Sequence, residues 1–163
     1  MDCRKLISDK VMSREQLIQR VNTWRNERQT IVFSNGCFDI IHPGHAQYLA
    51  AAAALGSRLV IGVNTDDSVN RLKGSTRPVI SENGRCLLLA SFQFVDAVCL
   101  FDEDTPMELI KSIIPDVLVK GKDYTVDQIV GADVVLQHGG KVETIELVEG
   151  FSTSSLIEKI KRI

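Results

Sequence analysis

The chain has 163 residues, which fits one domain better than two. Its hydrophobic fraction of 44% and charged fraction of 25% exclude a disordered chain, a collagen-like repeat and a disulfide-stapled miniprotein. The 19 Lys and Arg residues against 21 Asp and Glu residues give a net charge of −2, which excludes an overall basic field that recruits nucleic acid or anionic lipid. An anionic ligand must therefore meet a local cluster of basic groups.

Apolar, β-branched runs alternate along the chain with helical patterns and capping signals. Most of the runs are continuously apolar, which is typical of strands buried on both faces. The first predicted helix begins with a capping box at Ser13 and Gln16 and has Leu17, Ile18, Val21 and Trp24 on one face. The predicted strands are 30–34, 58–63, 96–101, 116–119 and 141–147. The other helical signals are an alanine-rich helix at 46–55, a helix that begins at Thr105, a capping box at Thr125 and Gln128, and a last helix capped by Ser152.

This alternation predicts an α/β fold with a doubly wound, mainly parallel, five-stranded sheet and helices on both faces. In such sheets ligands bind at the carboxyl ends of the strands, where the strand order reverses. We expect residues 1–29 to form an N-terminal helical extension with a loosely ordered start at residues 1–12. Trp24 suggests that this extension docks onto the sheet domain or a second subunit.

The cysteines and the N-terminus indicate the cellular compartment. Cys3, Cys37, Cys86 and Cys99 form no C-x-x-C pair, and their spacings suggest neither a zinc site nor a disulfide framework. The first ten residues, MDCRKLISDK, lack the apolar core of a signal peptide. No apolar run approaches the roughly 18 residues of a membrane span. We therefore expect a reduced, soluble, cytoplasmic protein without a membrane partner.

Two histidines flank a helix start directly after the first long strand. His42 lies just outside the alanine-rich helix and His45 lies in its first turn, with Pro43 and Gly44 marking the turn between them. A helix N-terminus offers unpaired N–H groups and a partial positive charge to anions. Both imidazoles can donate hydrogen bonds to one phosphate, and Gly36 and Gly44 lack the Cβ atoms that keep a ligand away from the backbone. These residues predict a phosphate site that carries two histidines.

The motif Gly36-x-Phe38-Asp39-x-x-His42-x-Gly44-His45 resembles the signature of the cytidylyltransferase-like nucleotidyltransferases, whose hallmark is H-x-G-H. The segments 62–66, 73–78, 119–124 and 150–155 are similar to a narrower branch, the adenylyltransferases that make ADP-heptose from heptose 1-phosphate. At this length the similarity is to their free-standing form, without a fused sugar kinase. The resemblance implies a Rossmann-like nucleotidyltransferase domain at 30–163, a homodimer, and a role in lipopolysaccharide core or related glycan synthesis.

The chemistry that the resemblance implies is attack by a sugar phosphate oxygen on the α-phosphorus of ATP, with release of pyrophosphate. Asp39 would orient the histidines or the ligand. The implied catalytic residues are His42, His45, Lys73 and Lys120. The implied nucleotide-binding residues are Asn35, Gly36, Cys37, Phe38, Asp39, Gly44, His45, Lys120, Gly121, Asp123, Ser152, Thr153 and Ser154. The implied substrate-binding residues are Asp66, Lys73, Arg77, Arg85 and Lys122. Mg²⁺ is implied too, carried mainly by the triphosphate.

One alternative within the same family is a glycerol-3-phosphate cytidylyltransferase. Its segments R-T-x-G-I-S-T and R-Y-V-D-E-V-I carry arginines where this chain has Leu147 with Val148, and Gln93. These differences disfavour CTP and glycerol phosphate as substrates. An alternative of another class is a module that binds nucleotide without turnover, although binding alone does not require both histidines.

Other nucleotide-binding and metal motifs receive less support. A zinc site built from Cys37, His42, His45 and His138 has no supporting ligand spacing. Neither G-x-G-x-x-G nor G-x-x-x-x-G-K-[ST] occurs in the chain, which disfavours a nicotinamide site and a P-loop ATPase.

Overall fold

The computed structural model describes residues 2–123, 125–146 and 150–163. Its helices are α1 (Cys3–Ser8), α2 (Arg14–Asn26), α3 (Pro43–Ala53), α4 (Asp66–Lys73), α5 (Glu82–Ala90), α6 (Met107–Ile113), α7 (Ala132–Gln137) and α8 (Thr153–Lys161). Its strands are β1 (Val11–Met12), β2 (Ile31–Gly36), β3 (Arg58–Asn64), β4 (Ala97–Phe101), β5 (Val117–Gly121) and β6 (Lys141–Ile145), and a 3₁₀ turn spans Val126–Gln128. The end of the last predicted strand at Leu147, the neighbouring Val148, and Tyr124 of the 119–124 segment lie outside the described residues.

All six described strands form one parallel sheet in the order β1-β4-β3-β2-β5-β6. Successive residues of the central strands face opposite sides, as the pleat requires: Ile31 and Phe33 lie in one core cluster and Val32 in the other. Helices α2, α6 and α7 contribute to the first cluster, and α3 and α5 to the second. The predicted α/β fold with a parallel sheet between two helical layers is therefore confirmed.

The sheet has one strand more than predicted. Strand β1 pairs with β4 through Val11 and Val98, and the N–H of Val98 donates to the carbonyl of Lys10 (2.8 Å). The first 12 residues, expected to be loosely ordered, include this strand and α1. A strand of two residues is too short to produce a pattern in the sequence, so its pairing with β4 is visible only in the fold.

The N-terminal helix α2 packs on the sheet. Leu17, Val21 and Trp24 are buried in the core cluster that also contains Ile31 and Phe33. The capping box is present, since Ser13 N–H donates to the Gln16 side chain at 2.9 Å. The suggested docking of Trp24 is therefore onto the sheet, while a domain boundary between residues 29 and 30 stays a prediction.

Two other predicted caps differ in detail. Helix α6 begins at Met107 with Pro106 at the capping position, one residue after the predicted cap Thr105. The side chain of Gln128 accepts from Thr125 N–H (3.2 Å), but this pair closes a single 3₁₀ turn and not an α-helix. Capping signals report a turn that satisfies orphan N–H groups, and they do not fix how far a helix continues.

The central position of β2 in the sheet determines where the loops after neighbouring strands run in opposite directions. The chain proceeds from β2 outward to β3 and β4 on one side, and later to β5 and β6 on the other. The strand order therefore reverses between β2 and β5, and the loops after these strands separate to leave a crevice. Within the described residues, no helix has the length and apolar character needed to cross a membrane.

Candidate active site

A cavity of about 520 Å³ lies at the carboxyl ends of β2 and β5, where the strand order reverses. Predicted site residues that line it are Asn35, Gly36, Cys37, Phe38, Asp39, His42, Gly44, His45, Lys73, Arg77, Lys120, Gly121, Asp123, Ser152, Thr153 and Ser154. Asp66, Arg85 and Lys122 do not line it. A cavity of about 570 Å³ beside α2 and β1 contains none of the predicted residues, so size alone does not identify the site.

The two histidines are neighbours at the start of α3. His42 is the N-cap, and its Nδ1 accepts a hydrogen bond from the N–H of His45 at 3.3 Å. This contact assigns the proton of the neutral His42 ring to Nε2. The two rings stack with centroids 3.8 Å apart and planes 22° apart. One ring nitrogen of His42 is thus used to cap the helix, and the other is the donor.

Burial keeps both imidazoles neutral at physiological pH. Burial lowers the pKa of His42 below its ordinary value, and it lowers the pKa of His45 to about 4, with His42 and Lys73 adding to the shift. A neutral imidazole retains one N–H donor. The pair therefore suits hydrogen bonding to an anion and does not depend on a charged ring.

Aromatic rings flank the histidine pair on both sides. Phe38 contacts His45 edge to face with centroids 5.4 Å apart, and Phe151 stacks with His42 at 6.1 Å. A Cβ on Gly36 would lie 3.2 Å from the Phe38 ring, and one on Gly44 would lie 3.1 Å from the His42 ring. Both glycines line the cavity, but the space of their missing Cβ atoms borders these rings. Close approach of a ligand to the backbone at these two glycines stays a prediction.

Asp39 holds a neighbouring loop and does not contact the histidines. Its carboxylate is buried, and Oδ1 accepts from the N–H groups of Val79 (2.7 Å) and Ile80 (2.9 Å). Its Oδ2 accepts from Nε of Arg77 at 2.5 Å. Asp39 thus anchors residues 77–80, which include Arg77 of the cavity, instead of contacting the histidines, and its expected role in orienting the ligand stays a prediction.

Three buried polar atoms of the lining residues have no hydrogen-bond partner within the described parts of the chain. They are Nη2 of Arg77, a donor, Oδ1 of Asn35, an acceptor, and Nδ1 of His45. Leaving buried polar atoms unpaired is costly, and sites that bind polar ligands accept that cost. The three atoms indicate that the cavity is built for a polar, partly anionic ligand.

Lys120 is a partly buried cation of the cavity. Its Nζ donates to the carbonyl of Asn35 at 3.3 Å, which ties the end of β5 to the end of β2. Burial lowers the pKa of Lys120 to about 8, an effect that Cys37 and Asp123 oppose. The ammonium group is therefore mostly protonated at pH 7. Lys73, at the end of α4, is exposed at the rim of the cavity.

Two helices begin at the cavity and direct their N–H groups to it. Helix α3 starts after His42, and α8 starts after Ser152, whose Oγ accepts from the N–H of Ser155 (3.0 Å). Thr153 and Ser154, in the first turn of α8, line the cavity. Two converging helix N-termini create a local positive potential, so the net charge of −2 does not prevent binding of a phosphate chain.

Arg85 stands outside the cavity and braces its wall. The guanidinium is fully buried, and it donates to the carbonyls of Cys37 (Nη1, 2.6 Å) and Ile80 (Nε, 3.0 Å) and to Oδ1 of Asp66 (Nη2, 2.8 Å). A fully buried guanidinium with these partners has no surface to offer a phosphate. The expectation that Arg85 binds substrate is therefore not met, and Asp66 serves as its partner.

Lys122 also lies away from the cavity. It forms an exposed ion pair with Glu146, a contact that solvent screens. Lys120 lies within β5 and reaches the cavity, whereas Lys122 follows the end of that strand at Gly121. The structure thus separates two lysines that the sequence places in one motif.

Four lining residues were not selected from the sequence, namely Tyr48, Asn64, Leu72 and Phe151. The hydroxyl of Tyr48 contacts Ser34 Oγ (2.9 Å) and donates to the carbonyl of Val119 (3.2 Å), which links α3 to two strands. Burial raises the pKa of Tyr48 to about 12. Its spacing of three residues from His45 was a usable signal, since such residues share a helix face.

The zinc alternative loses support. His138 lies at the end of α7, where Nδ1 contacts the carbonyl of Val134 (2.8 Å), and it lines a different cavity from His42. In the portion of the chain that the structure describes, no group of three or more His, Cys, Asp or Glu residues is arranged to hold a metal ion.

Comparison with known proteins gives one family and a set of longer relatives. Residues 33–159 match the cytidylyltransferase-like family. The bifunctional protein HldE of Methylobacillus flagellatus is 54% identical over 153 residues, covering 94% of this chain and 31% of that protein. The bifunctional protein HldE of Caulobacter vibrioides is 55% identical over 151 residues, covering 93% and 31%. The chain thus spans about a third of the length of these curated relatives.

A solved structure shares the fold. The crystal structure of the lipopolysaccharide core biosynthesis protein from Thermoplasma volcanium aligns with a TM-score of 0.58 and 29% identity, covering 74% of this chain and 97% of that chain. The family match begins in β2 and ends in α8, so it includes both helix N-termini, the histidine pair and Lys120. From the cavity geometry and this match together, the chain belongs to the cytidylyltransferase-like family.

Proposed function

We propose that the chain is an adenylyltransferase that transfers AMP from ATP to heptose 1-phosphate and releases pyrophosphate. The ADP-heptose formed would serve lipopolysaccharide core or related glycan synthesis. The observation that carries the proposal is the convergence of a neutral histidine pair, Lys120, Arg77 and two helix N-termini on one cavity. The four branch-specific segments, the similarity to HldE proteins and the similarity to a lipopolysaccharide core biosynthesis protein support the choice of branch.

In the proposed reaction an oxygen of the sugar phosphate attacks the α-phosphorus of ATP. A new P–O bond forms, the bond to the β-phosphate bridging oxygen breaks, and pyrophosphate leaves with that electron pair. The attacking oxygen is already ionised at neutral pH, because the second pKa of a phosphate monoester is about 6. No general base is required, which agrees with two histidines whose lowered pKa values leave them as neutral donors.

His42 and His45 would donate hydrogen bonds to the α-phosphate oxygens as negative charge develops on them. Lys120, Lys73 and Arg77 would neutralise the phosphate chain and the departing pyrophosphate. Arg77 is suited to this role because Asp39 and the 77–80 loop hold it in place, and Nη2 has no partner in the described chain. The nucleotide-binding roles of the remaining lining residues are part of the same proposal.

Mg²⁺ would accompany the triphosphate, which would supply most of its ligands together with water. The donor set of the cavity fits this arrangement. Both oxygens of Asp39 are bonded to Arg77 and to backbone N–H groups, so Asp123 is the lining carboxylate that remains for a hydrated cation. The ion would lower the charge repulsion between the phosphates. We also propose a homodimer in the cytoplasm, as the family resemblance implies.

The test is pyrophosphate release in the presence of Mg²⁺, with ATP and CTP each paired with heptose 1-phosphate and glycerol 3-phosphate. Release only with ATP and the heptose is expected. Release with CTP and glycerol phosphate would favour the cytidylyltransferase alternative. No release with any pair, while calorimetry still detects ATP binding, would favour a module that binds nucleotide without turnover.

A further inference from the structure

Phe151 lies where the two helix N-termini of the cavity meet. It directly precedes Ser152, the cap of α8, and it is 42% exposed on the cavity wall. Its ring stacks with the ring of His42, with centroids 6.1 Å apart and planes 19° apart. This is within the range at which aromatic rings attract each other. His42 also stacks with His45, so the ring of His42 takes part in two aromatic contacts.

The backbone of α3 comes close to both rings at Gly44. A Cβ built on Gly44 would lie 3.1 Å from Cβ of Phe151 and 3.1 Å from Nδ1 and Cε1 of His42. Phe151 therefore packs on the first turn of α3 beside the histidine. Helix α8 has no fully buried residue, and the contact of Phe151 joins its N-terminal end to α3.

The plane of the His42 imidazole ring depends on its stacking with neighbouring rings, because its hydrogen bond is too weak to fix that plane. Its Nδ1 accepts one hydrogen bond of 3.3 Å from His45 N–H, which is long for such a bond. A single long hydrogen bond fixes one edge of an imidazole but does not fix the plane. A hydrogen bond weakens steeply when its angle departs from linearity, so the direction of the Nε2–H donor depends on that plane.

We infer that Phe151 is a positioning residue. It fixes the ring plane of His42, and it holds the start of α8 against the start of α3 so that the N–H groups of both helix N-termini point to the same phosphate. The inference rests on the proposed function, because that function supplies the α-phosphate. Phe151 does not need to touch the reacting atoms for this role. It acts through His42 and through the separation of the two helix N-termini.

Three substitutions separate the ring from the apolar volume. Phe151→Ala removes both, Phe151→Leu keeps an apolar side chain without a ring, and Phe151→Tyr keeps the ring. We expect Phe151→Ala and Phe151→Leu to lower kcat by about 10- to 100-fold, the effect of a misplaced catalytic group, while KM for ATP stays within about threefold. Phe151→Tyr retains wild-type kcat. The matched control is Ile160→Ala on the same helix, since Ile160 is 63% exposed and does not line the cavity.

The second measurement does not require activity. The chain has three histidines, so their ring signals can be followed by NMR as the pH is changed. Phe151 covers His42, and removing this cover in Phe151→Ala raises the pKa of His42 toward its ordinary value of 6.5. His45 and Lys73, the titratable groups of this corner, are unchanged in all variants, and His138 at the end of α7 provides an internal reference.

The outcomes are decisive in each direction. A loss of kcat in Phe151→Ala and Phe151→Leu, recovery in Phe151→Tyr and a raised His42 pKa support the inference. Wild-type kcat in Phe151→Leu, or a rise in KM for ATP alone, overturns it, because the ring is then not needed for turnover. If the wild-type protein releases no pyrophosphate with any substrate pair, the proposed function fails, and an unchanged His42 pKa in Phe151→Ala overturns the positioning contact separately.

Discussion

Replacing Arg85 tests whether the wall of the cavity depends on a buried brace. Arg85→Met keeps an unbranched side chain of similar reach and removes three donated hydrogen bonds, to Cys37, Ile80 and Asp66. Removing one partner of a fully buried ion pair costs about 3 to 5 kcal/mol. The carboxylate of Asp66 is 39% exposed and can regain water, so the cost falls mainly on two carbonyls at about 1 to 3 kcal/mol each. We expect a loss of about 2 to 6 kcal/mol in the free energy of unfolding.

Urea unfolding followed by circular dichroism measures this loss. The matched control is Arg71→Met, because Arg71 also forms ion pairs, with Asp102 and Asp104, but all three side chains are largely exposed. The control is expected to shift the unfolding midpoint by far less, since water screens exposed pairs. A loss below about 1 kcal/mol for Arg85→Met, the size of an ordinary substitution, would refute the brace.

Further outcomes follow from the histidines and lysines of the cavity. His42→Ala and His45→Ala should each lower kcat by about 100- to 1,000-fold, while the calorimetric Kd for ATP changes only a few-fold; equal losses in both would favour a binding module. Since Lys120 has a pKa of about 8, kcat/KM should fall as the pH rises through 8, and Lys120→Arg should move this limb to higher pH, whereas Lys122→Ala should leave the profile unchanged. The pKa of His45 is lowered to about 4 from 6.5, so its contribution to stability is complete above pH 6.5 and is lost as the pH falls toward 4. His45→Gln should therefore flatten the pH dependence of the urea midpoint between those values, and an unchanged slope would show that His45 is not buried as a neutral ring.

The fold and the location of the site could be predicted from the sequence because both depend on local patterns of residues. Continuous apolar runs mark strands that are covered on both faces, and the start of α3 follows β2 directly with its two histidines. The rule that ligands bind at the carboxyl ends of parallel strands then placed Lys120 and Asn35 on one edge. Their contact in the structure, Nζ to the Asn35 carbonyl, is a consequence of β2 and β5 being neighbours.

Burial and side-chain direction were not available from the sequence. Arg77 and Arg85 are both arginines of the same stretch of sequence after β3. In the structure, however, Arg85 is fully buried and supports the cavity wall, whereas Arg77 lines the cavity. The partner of Arg85 at Cys37 is 48 residues away, so only the folded chain shows it. Asp39 likewise meets Arg77 across 38 residues, which is why its role as a loop anchor could not be predicted.

The cavity is built on elements of unequal local stability. Helix α3 buries Tyr48, Leu49 and Ala52, whereas α8 buries no residue completely. Segments with few buried contacts open locally at a lower free energy than the whole domain, so the backbone amides of α8 should exchange with deuterium before those of α3. A nucleotide that binds only when α8 is folded would slow exchange in α8 by the factor 1 + [L]/Kd, where [L] is the free nucleotide concentration. The affinity of the site therefore includes the free energy of keeping its last helix folded.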